Sequence, residues 1–420
     1  MISNSLMPKA FGAERVNMKI GIVTNLYPPY ARGGAENVIV RTVEELLARG
    51  HEVFVITGQP RKQGRGIVVD GSSPERIYRF FPRNLYFTTD DFRHSWPVRL
   101  LWHIIDTLSW SGASAVRDIL RREAPDIVVT HNLKGLGINI PRVVRDEGVP
   151  QVHVLHDVQL VFPSGLLMFG REQPFLLLQP FLWLYRFFCR RAFGNPALVI
   201  SPSEYLRSVY RQYSFFPSSE MIVLRNPVPN YPLAPRKKEV TGGLKLMFAG
   251  QLAHHKGVMF LLEAFKRLPA EAILIIVGDG SLRRVVEKAA RADARIRYLG
   301  YMSPSEIGKL FGIVDAAVVP SLCYENSPTV IYESLQAGIP VIASRIGGVG
   351  ELVEEGKNGE LFTPGDEADF LRAVQVMAER RQGYLQSAEA IKTSVAPYAL
   401  NHFTDTFISH LARIVGDLKK

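Results

Sequence analysis

Residues 324–344 read "YENSPTVIYESLQAGIPVIAS", and the fold turns on how this stretch is parsed. Two glutamates, Glu325 and Glu333, stand eight positions apart ahead of a Gly-Ile-Pro turn and an apolar run. Eight residues amount to about 80° of rotation on a helix, so two glutamates within one helix would not share a face. A helix that starts between them removes the conflict. Ser327 is a favoured N-cap type, and Pro328 is tolerated at the first helical position because that N–H has no intrahelical partner. The helix is predicted to run through Glu333 and end near Gly338, with Pro340 opening the strand "PVIAS". Glu325 then lies in the feeding loop and Glu333 about a turn and a half into the helix. Both border one cavity at the helix N-terminus, where free N–H groups and the positive end of the dipole suit phosphate. A surface helix with two solvated glutamates would carry the same letters.

Outward from this stretch, short β-rich runs alternate with helical pattern, the signature of parallel sheets covered on both faces. "KIGIVT", "EVFVIT", "DIVVT", "QVHVL", "ALVIS" and "MIVLR" read as strands of a first unit. "LKLMFAG", "AILIIVG", "RIRYLG", "AAVVP", "PVIAS" and "GELFT" read as strands of a second. Between them, "NPVPNYPLAPRKKEVTGG" (residues 226–243) holds four prolines and two glycines and reads as a linker. The expected class is α/β, with two doubly wound Rossmann-like domains facing each other across a cleft. The partition is a disordered leader over 1–17, an N-terminal domain over 18–225, the linker 226–243, and a C-terminal domain over 244–395. A terminal helix over 396–420 is expected to pack back toward the N-terminal domain. In such sheets ligands bind beyond the carboxyl ends of the strands.

The chain has 420 residues, 47% of them hydrophobic, enough for two separate cores. Two cysteines, Cys189 and Cys323, form no CxxC, which excludes a disulfide scaffold or a cysteine zinc site and favours a reducing, cytoplasmic setting. Residues 1–17 lack the apolar core of a secretory signal. Residues 1–225 carry 27 Lys+Arg against 19 Asp+Glu, whereas residues 226–420 carry 23 against 21. Basicity therefore belongs to the N-terminal half and suggests an anionic partner surface. No RNP, KH, zinc-finger or helix-turn-helix signature supports nucleic acid. "PFLLLQPFLWLYRFF" (residues 174–188) is almost wholly apolar and ends among arginines, but it is too short and too proline-broken to span a bilayer. It and "WPVRLLWHIIDTLSW" (residues 96–110) suit either a membrane headgroup region or ordinary core helices.

Glycine-rich or acidic loops follow several strands. "NLYPPYARGGAEN" places Gly33-Gly34 at a helix start, without the GxGxxG of a nicotinamide site. "FAGQLAHHKGV" sets Lys256-Gly257 beside a second helix start, "VGDGS" contributes Gly278, and "SRIGGVGEL" follows the acidic pair. One such loop is ordinarily structural; four strand-end loops in one domain, with a fifth in the other, are harder to explain that way.

Residues 320–365, "PSLCYENSPTVIYESLQAGIPVIASRIGGVGELVEEGKNGELFTPGD", closely resemble the donor-site signature of retaining GT-B glycosyltransferases in the glycosyl transferases group 1 family. Weaker matches run through "YPPYARGGAE", "PDIVVTHN", "HVLHDV", "AGQLAHHKG" and "IVGDGS". The resemblance implies that Glu325 contacts donor-sugar hydroxyls and that backbone N–H groups of Asn326, Ser327, Thr329 and Val330, around Pro328, hold the diphosphate. It implies that Glu333 binds the ribose and that Lys256 neutralises the leaving diphosphate. Gly33 and Gly34 would border the diphosphate from the opposite domain, with Gln251 and Gly278 completing the donor loops. His156 matches the family histidine near the donor sugar; His131 is left open. The family usually has arginine where this chain has Gln251, and a neutral amide lacks the guanidinium's charge and bidentate geometry.

The implied reaction is sugar transfer from a nucleotide-sugar to a glycan or lipid-linked acceptor, with retention of configuration. The glutamates are not the nucleophile and acid of a retaining glycosidase, whose carboxylates flank the scissile bond. No DxD triplet is present, so neither metal nor other cofactor is expected. A sugar-nucleotide 2-epimerase of the same architecture and a non-catalytic sugar-nucleotide-binding subunit are the alternatives. Membrane contact would be peripheral, at the inner face.

Overall fold

The computed structural model describes residues 17–418 apart from 32, 65, 173–177 and 229–241. Two sheets organise them. The first comprises β1 (Lys19–Val23), β2 (Glu52–Gly58), β3 (Val68–Asp70), β4 (Arg76–Phe80), β5 (Ile127–Thr130), β6 (Gln151–Val154), β7 (Leu198–Ser201) and β8 (Glu220–Val223). Its order is β3-β4-β2-β1-β5-β6-β7-β8, parallel except where β3 runs against β4 at the edge. The second comprises β9 (Lys245–Ala249), β10 (Ile273–Val277), β11 (Ile296–Tyr298), β12 (Ala316–Val319), β13 (Val341–Ser344) and β14 (Gly359–Phe362). It is parallel throughout, in the order β11-β10-β9-β12-β13-β14. β5, β7, β12 and β13 are buried along their whole length, which is why they read as unbroken apolar runs rather than alternating ones.

In each sheet the chain reverses its direction of travel beside the first strand, between β1 and β5 and between β9 and β12. Consecutive loops there leave to opposite sides and open a crevice at the strand ends. That crevice receives the loops singled out from the sequence.

All twelve expected strands are present, but β3 and β4 were not expected. β4 carries Arg76 and Arg79 within "RIYRF", so its apolar run is interrupted. Arg79 is nevertheless buried, its guanidinium donating to the Pro28 carbonyl. β3 is a three-residue edge strand with Val68 and Val69 exposed, too short to signal itself. The helix of the opening stretch also needs correction. It spans Thr329–Gln336 with Pro328, not Ser327, at the N-cap. Ser327 lies one residue outside, and its hydroxyl pairs with the Tyr332 hydroxyl at 2.7 Å instead of capping.

The C-terminal helix Leu400–Leu418 returns to the first sheet. Phe403, Phe407 and Leu411 share a core with Ile39, Val43 and Leu46 of helix Gly34–Ala48. Each fully buried side chain of this kind contributes about 1.5–3 kcal/mol relative to exposure. Arg49 pairs with Asp405 and Arg413 with Glu220 around the rim. Most of the expected leader (1–16), most of the linker (229–241) and the start of the apolar stretch (174–177) lie outside the described residues. The two apolar stretches otherwise form helices Trp96–Leu108 and Gln179–Phe193, and both keep many apolar side chains exposed. No described helix is long and apolar enough to cross a membrane.

Candidate active site

The loops leaving β9 and β12 are stitched together across the second sheet's crevice. A Cβ on Gly257 would lie 1.7 Å from the Pro320 carbonyl oxygen, and its φ of +72° is left-handed, so glycine alone permits this approach. The amides of Leu322 and Cys323 both donate to the His255 carbonyl, at 2.9 and 3.2 Å. Lys256 is thereby brought onto Glu325, with Nζ 2.6 Å from Oε1. The Ser321 hydroxyl donates to the same oxygen at 2.7 Å. Burial works to raise the Glu325 pKa, but Lys256, its hydrogen bond and Ser321 outweigh it and hold the carboxyl below its usual value. Burial works to lower Lys256, and Glu325 more than compensates. Both groups are therefore charged at neutral pH.

The glycines of "SRIGGVGEL" fix the backbone of this glutamate. Gly348 N–H donates to the Glu325 carbonyl at 2.7 Å, and a Cβ on Gly347, at φ +56°, would meet that carbonyl oxygen at 2.1 Å. The next residues enter helix Thr329–Gln336, whose N-terminus faces that of helix Gly34–Ala48 from the first sheet. A Cβ on Gly34 would come within 3.0 Å of the Thr329 side chain. Two helix N-termini thus converge from opposite sheets, each with N–H groups that lack an intrahelical acceptor and with a partial positive charge. Glu36, unassigned from sequence, sits half-buried at this point, and a Cβ on Gly33 would lie 2.9 Å from its Oε2. Burial raises the Glu36 pKa, opposed by the N–H groups of Glu36 itself and Gly33.

His156 stands at the end of β6, and its carbonyl accepts from Asn326 Nδ2 at 2.9 Å, joining the two sheets. Its Nε2 lies 2.9 Å from His131 Nδ1. Burial pushes His156 down to about 4, and burial with the neighbouring imidazoles holds His131 well below 6.5, so both are neutral. His131 Nε2 is buried without a partner. One imidazole donates to the other across this contact, and either ring can be the donor. Asp157, adjoining, accepts from Asn132 Nδ2 at 2.9 Å and Gln159 N–H at 2.7 Å, and burial raises its carboxyl to about 6. These residues line a small cavity of about 20 Å³, room for one water molecule.

Three further contacts close the sides of the cleft, and none was legible from motifs. Met168 and Cys323 form an antiparallel bridge, with Phe169 N–H donating to Leu322 O at 2.9 Å and Tyr324 N–H to Leu167 O at 2.8 Å. Tyr205 and Tyr324 stack at 5.4 Å between centroids. Glu351 accepts the amides of Glu204 and Tyr205 at 3.0 and 2.8 Å and pairs with Arg225 at 3.0 Å. A carboxylate from the second sheet thus caps helix Glu204–Gln212 of the first. Only "SRIGGVGEL", which ends one residue past Glu351, drew attention to this segment.

The expected residues accordingly fall into two groups. Gly34, His156, Lys256, Glu325, Asn326 and Thr329 are drawn together by contacts between these loops, with Gly33 beside Gly34. Ser327, Pro328, Val330 and Glu333 belong to the same half-buried stretch, Val330 packing on the second sheet's core. Asn326 Oδ1 is buried without a partner there. Gln251 is exposed. Gly278, at φ +138°, packs against the Gly250 carbonyl, which a Cβ would approach to 1.9 Å, so backbone packing accounts for its being glycine.

Residues 243–380 match a family model described as glycosyl transferases group 1, and residues 32–230 match glycosyltransferase family 4. Glycogen synthase of Mycobacterium tuberculosis is 26% identical over 388 aligned residues, covering 85% of each chain. Among solved structures, sucrose-phosphate synthase of Thermosynechococcus elongatus superposes with a TM-score of 0.74 at 16% identity, over 96% of this chain and all of that one. HepE of Anabaena, solved in complex with UDP-glucose, superposes with a TM-score of 0.67 at 19% identity, over 94% of this chain and all of that one.

Proposed function

This chain is a glycosyltransferase of GT-B architecture, and from that premise we propose that it moves a sugar from a nucleoside-diphosphate donor to a glycan or lipid-linked acceptor with retention of anomeric configuration. The observation that carries the proposal is the Lys256–Glu325 ion pair at the point where the second sheet reverses, beside two opposed helix N-termini. The donor diphosphate would lie between those N-termini, held by N–H groups of residues 326–330 and bordered by Gly33 and Gly34. Lys256 would meet the charge that develops on the leaving diphosphate, where a fixed ammonium is worth most. Glu325 keeps Lys256 charged and oriented before the donor arrives, and its second oxygen would accept from sugar hydroxyls. Glu333 would bind the ribose. His156 would stand near the sugar.

The reaction breaks the bond between the anomeric carbon and the phosphate oxygen and forms one from the same face to an acceptor hydroxyl. The acceptor proton leaves with the diphosphate. With no DxD triplet in the sequence, the phosphate charge would be met by Lys256 and helix N-termini without a divalent cation. Gln251, in place of the usual arginine, lends no charge, which puts more weight on Lys256. The donor class draws on UDP-glucose in the HepE structure, and a role in polysaccharide or glycolipid assembly draws on the glycogen synthase likeness. We place this work in the cytoplasm, at the inner face of the membrane.

The test is product analysis. The chain is incubated with UDP-, GDP- and ADP-sugars and candidate acceptors in EDTA, and the new linkage is read by proton NMR. An α-linked product from an α-linked donor supports the proposal. An inverted product refutes retention, loss of turnover in EDTA refutes metal independence, and donor epimerised without acceptor supports a 2-epimerase instead.

A further inference from the structure

Helix Gln179–Phe193 carries apolar side chains on every side, with Arg186, Arg190 and Arg191 among them, yet only one side is covered. Leu182, Tyr185, Cys189 and Ala192 recur at helical spacing and are buried in the first sheet's core. Phe181, Leu184 and Phe188 recur at the same spacing on another side and are exposed, as are Trp183 and Phe187, which stack on each other at 6.0 Å. Apolar side chains outside the covered stripe of a helix point to a second partner, protein or lipid. Beside it packs helix Trp96–Leu108, which exposes Val98, Leu101, Ile104 and Leu108, with Trp96 75% exposed at its start and Trp110 47% exposed just beyond its end. Contiguous apolar surface of this extent marks an interaction site.

The charges choose the partner. Across these two helices the only carboxylate is Asp106, which is buried. Of the arginines, Arg99 pairs with Asp91 and Arg186 and Arg190 donate to the Val161 and Tyr213 carbonyls, while Arg191 is exposed. A second copy of the chain would bring this patch against itself and set those arginines against their equivalents, an unfavourable juxtaposition. Exposed indole and phenyl rings beside a cation and no exposed carboxylate match the headgroup level of a bilayer, with the Arg191 guanidinium reaching anionic phosphates. We infer that the two helices form a docking face for an anionic membrane surface. Beside the cleft, Leu166 and Phe169 are also exposed, and Phe169 N–H bonds to Leu322 O two residues from Tyr324. Docking that takes in these two side chains would bring the cleft to the bilayer, where a lipid-linked acceptor resides. That last step rests on the sugar-transfer reading above; the docking face does not.

The full chain is floated with vesicles of phosphatidylethanolamine and phosphatidylglycerol in equal parts, and with phosphatidylcholine vesicles, at low salt. Tryptophan emission is followed in parallel. The wild type should float with the anionic vesicles and shift its emission to the blue. Trp183→Ser with Phe187→Ser should reduce partitioning at least tenfold while the melting temperature and nucleotide binding stay unchanged, since both side chains are exposed. Arg191→Gln should reduce it about fivefold. Wild type that stays unbound, or a double variant that floats equally well, overturns the inference. Equal binding to phosphatidylcholine overturns the assignment of an anionic surface. A dimer abolished by the double variant, without vesicle binding, assigns the face to a second copy. Vesicle binding by a chain that binds no nucleotide would leave this face standing and refute the transferase reading.

Discussion

Lys256 Nζ lies 2.6 Å from Glu325 Oε1, closing an ion pair between the loops that follow β9 and β12. Their side chains are only 29% and 11% exposed, so each charge depends on the other. Removing one partner of a fully buried pair costs about 3–5 kcal/mol, while replacing both with apolar or neutral groups is often tolerated. Lys256→Met should destabilise by an amount near the lower end of that range, because Lys256 retains some solvent. Lys256→Met combined with Glu325→Gln should recover most of the loss and remain inactive. Urea unfolding of the single and double variants measures both; additive losses would show that the two groups do not depend on each other.

Gly34 separates two expectations that usually travel together. Alanine in place of glycine within a helix gains about 0.5–1 kcal/mol. Here the new methyl group would press on Thr329 at 3.0 Å, across the cleft. Gly34→Ala should hold or raise the melting temperature yet lower turnover at least tenfold. Adding Thr329→Ala, which removes the opposing Cγ2 and Oγ1, should restore activity. Loss of activity that Thr329→Ala leaves unrepaired would contradict the steric account.

Glu351 caps a helix of the opposite sheet through two amides, and bonds to a charged acceptor of this kind contribute about 1.5–3 kcal/mol each. Glu351→Ala should loosen the closed arrangement without unfolding either core. Small-angle scattering should give a larger radius of gyration, with KM for the donor rising more than kcat falls. An unchanged radius with unchanged kinetics would show that the contact is incidental.

Asp106 predicts a pH dependence. Burial raises its carboxyl to about 7, opposed by the Gly135 N–H and the nearby Lys134 charge. In the unfolded chain the group titrates near 3.9. Between these values the folded state holds the extra proton, so this residue's contribution falls as pH rises through the window and its deficit is complete above about 7. Asp106→Asn keeps an acceptor for Gly135 but cannot ionise. It should be more stable than wild type at pH 8, and its advantage should shrink toward pH 5, by about 1.4 kcal/mol per pH unit at most. Melting curves across that range decide it; an advantage that grows on acidification would reverse the sign.

The strands that line the cleft could be read because they are buried on both faces and carry unbroken apolar runs. β3 and β4 could not, since Arg76 and Arg79 break the pattern and only the tertiary fold shows the Arg79 guanidinium donating to the Pro28 carbonyl. Ser327 misled for a related reason: its type suits an N-cap, but Tyr332 offers its hydroxyl a partner one turn on. Lys256 and Glu325 carry local signals, a lysine-glycine at a helix start and an acidic loop after a strand. Their meeting does not, because 69 residues separate them and Gly257 makes the contact by lacking a side chain. Glu351, Met168 and Tyr205 act through contacts between sheets, which no local spacing encodes.

The central claim is that the Lys256–Glu325 crevice holds a nucleoside diphosphate. Isothermal titration of UDP, GDP and ADP into wild type and Lys256→Met, each first shown to be folded by its melt, tests it most directly. One nucleotide should bind the wild type without added metal, and the substitution should weaken it by at least tenfold, as expected for losing a charged contact to phosphate. Binding that Lys256→Met leaves unchanged, or no binding by any of the three, would contradict the account.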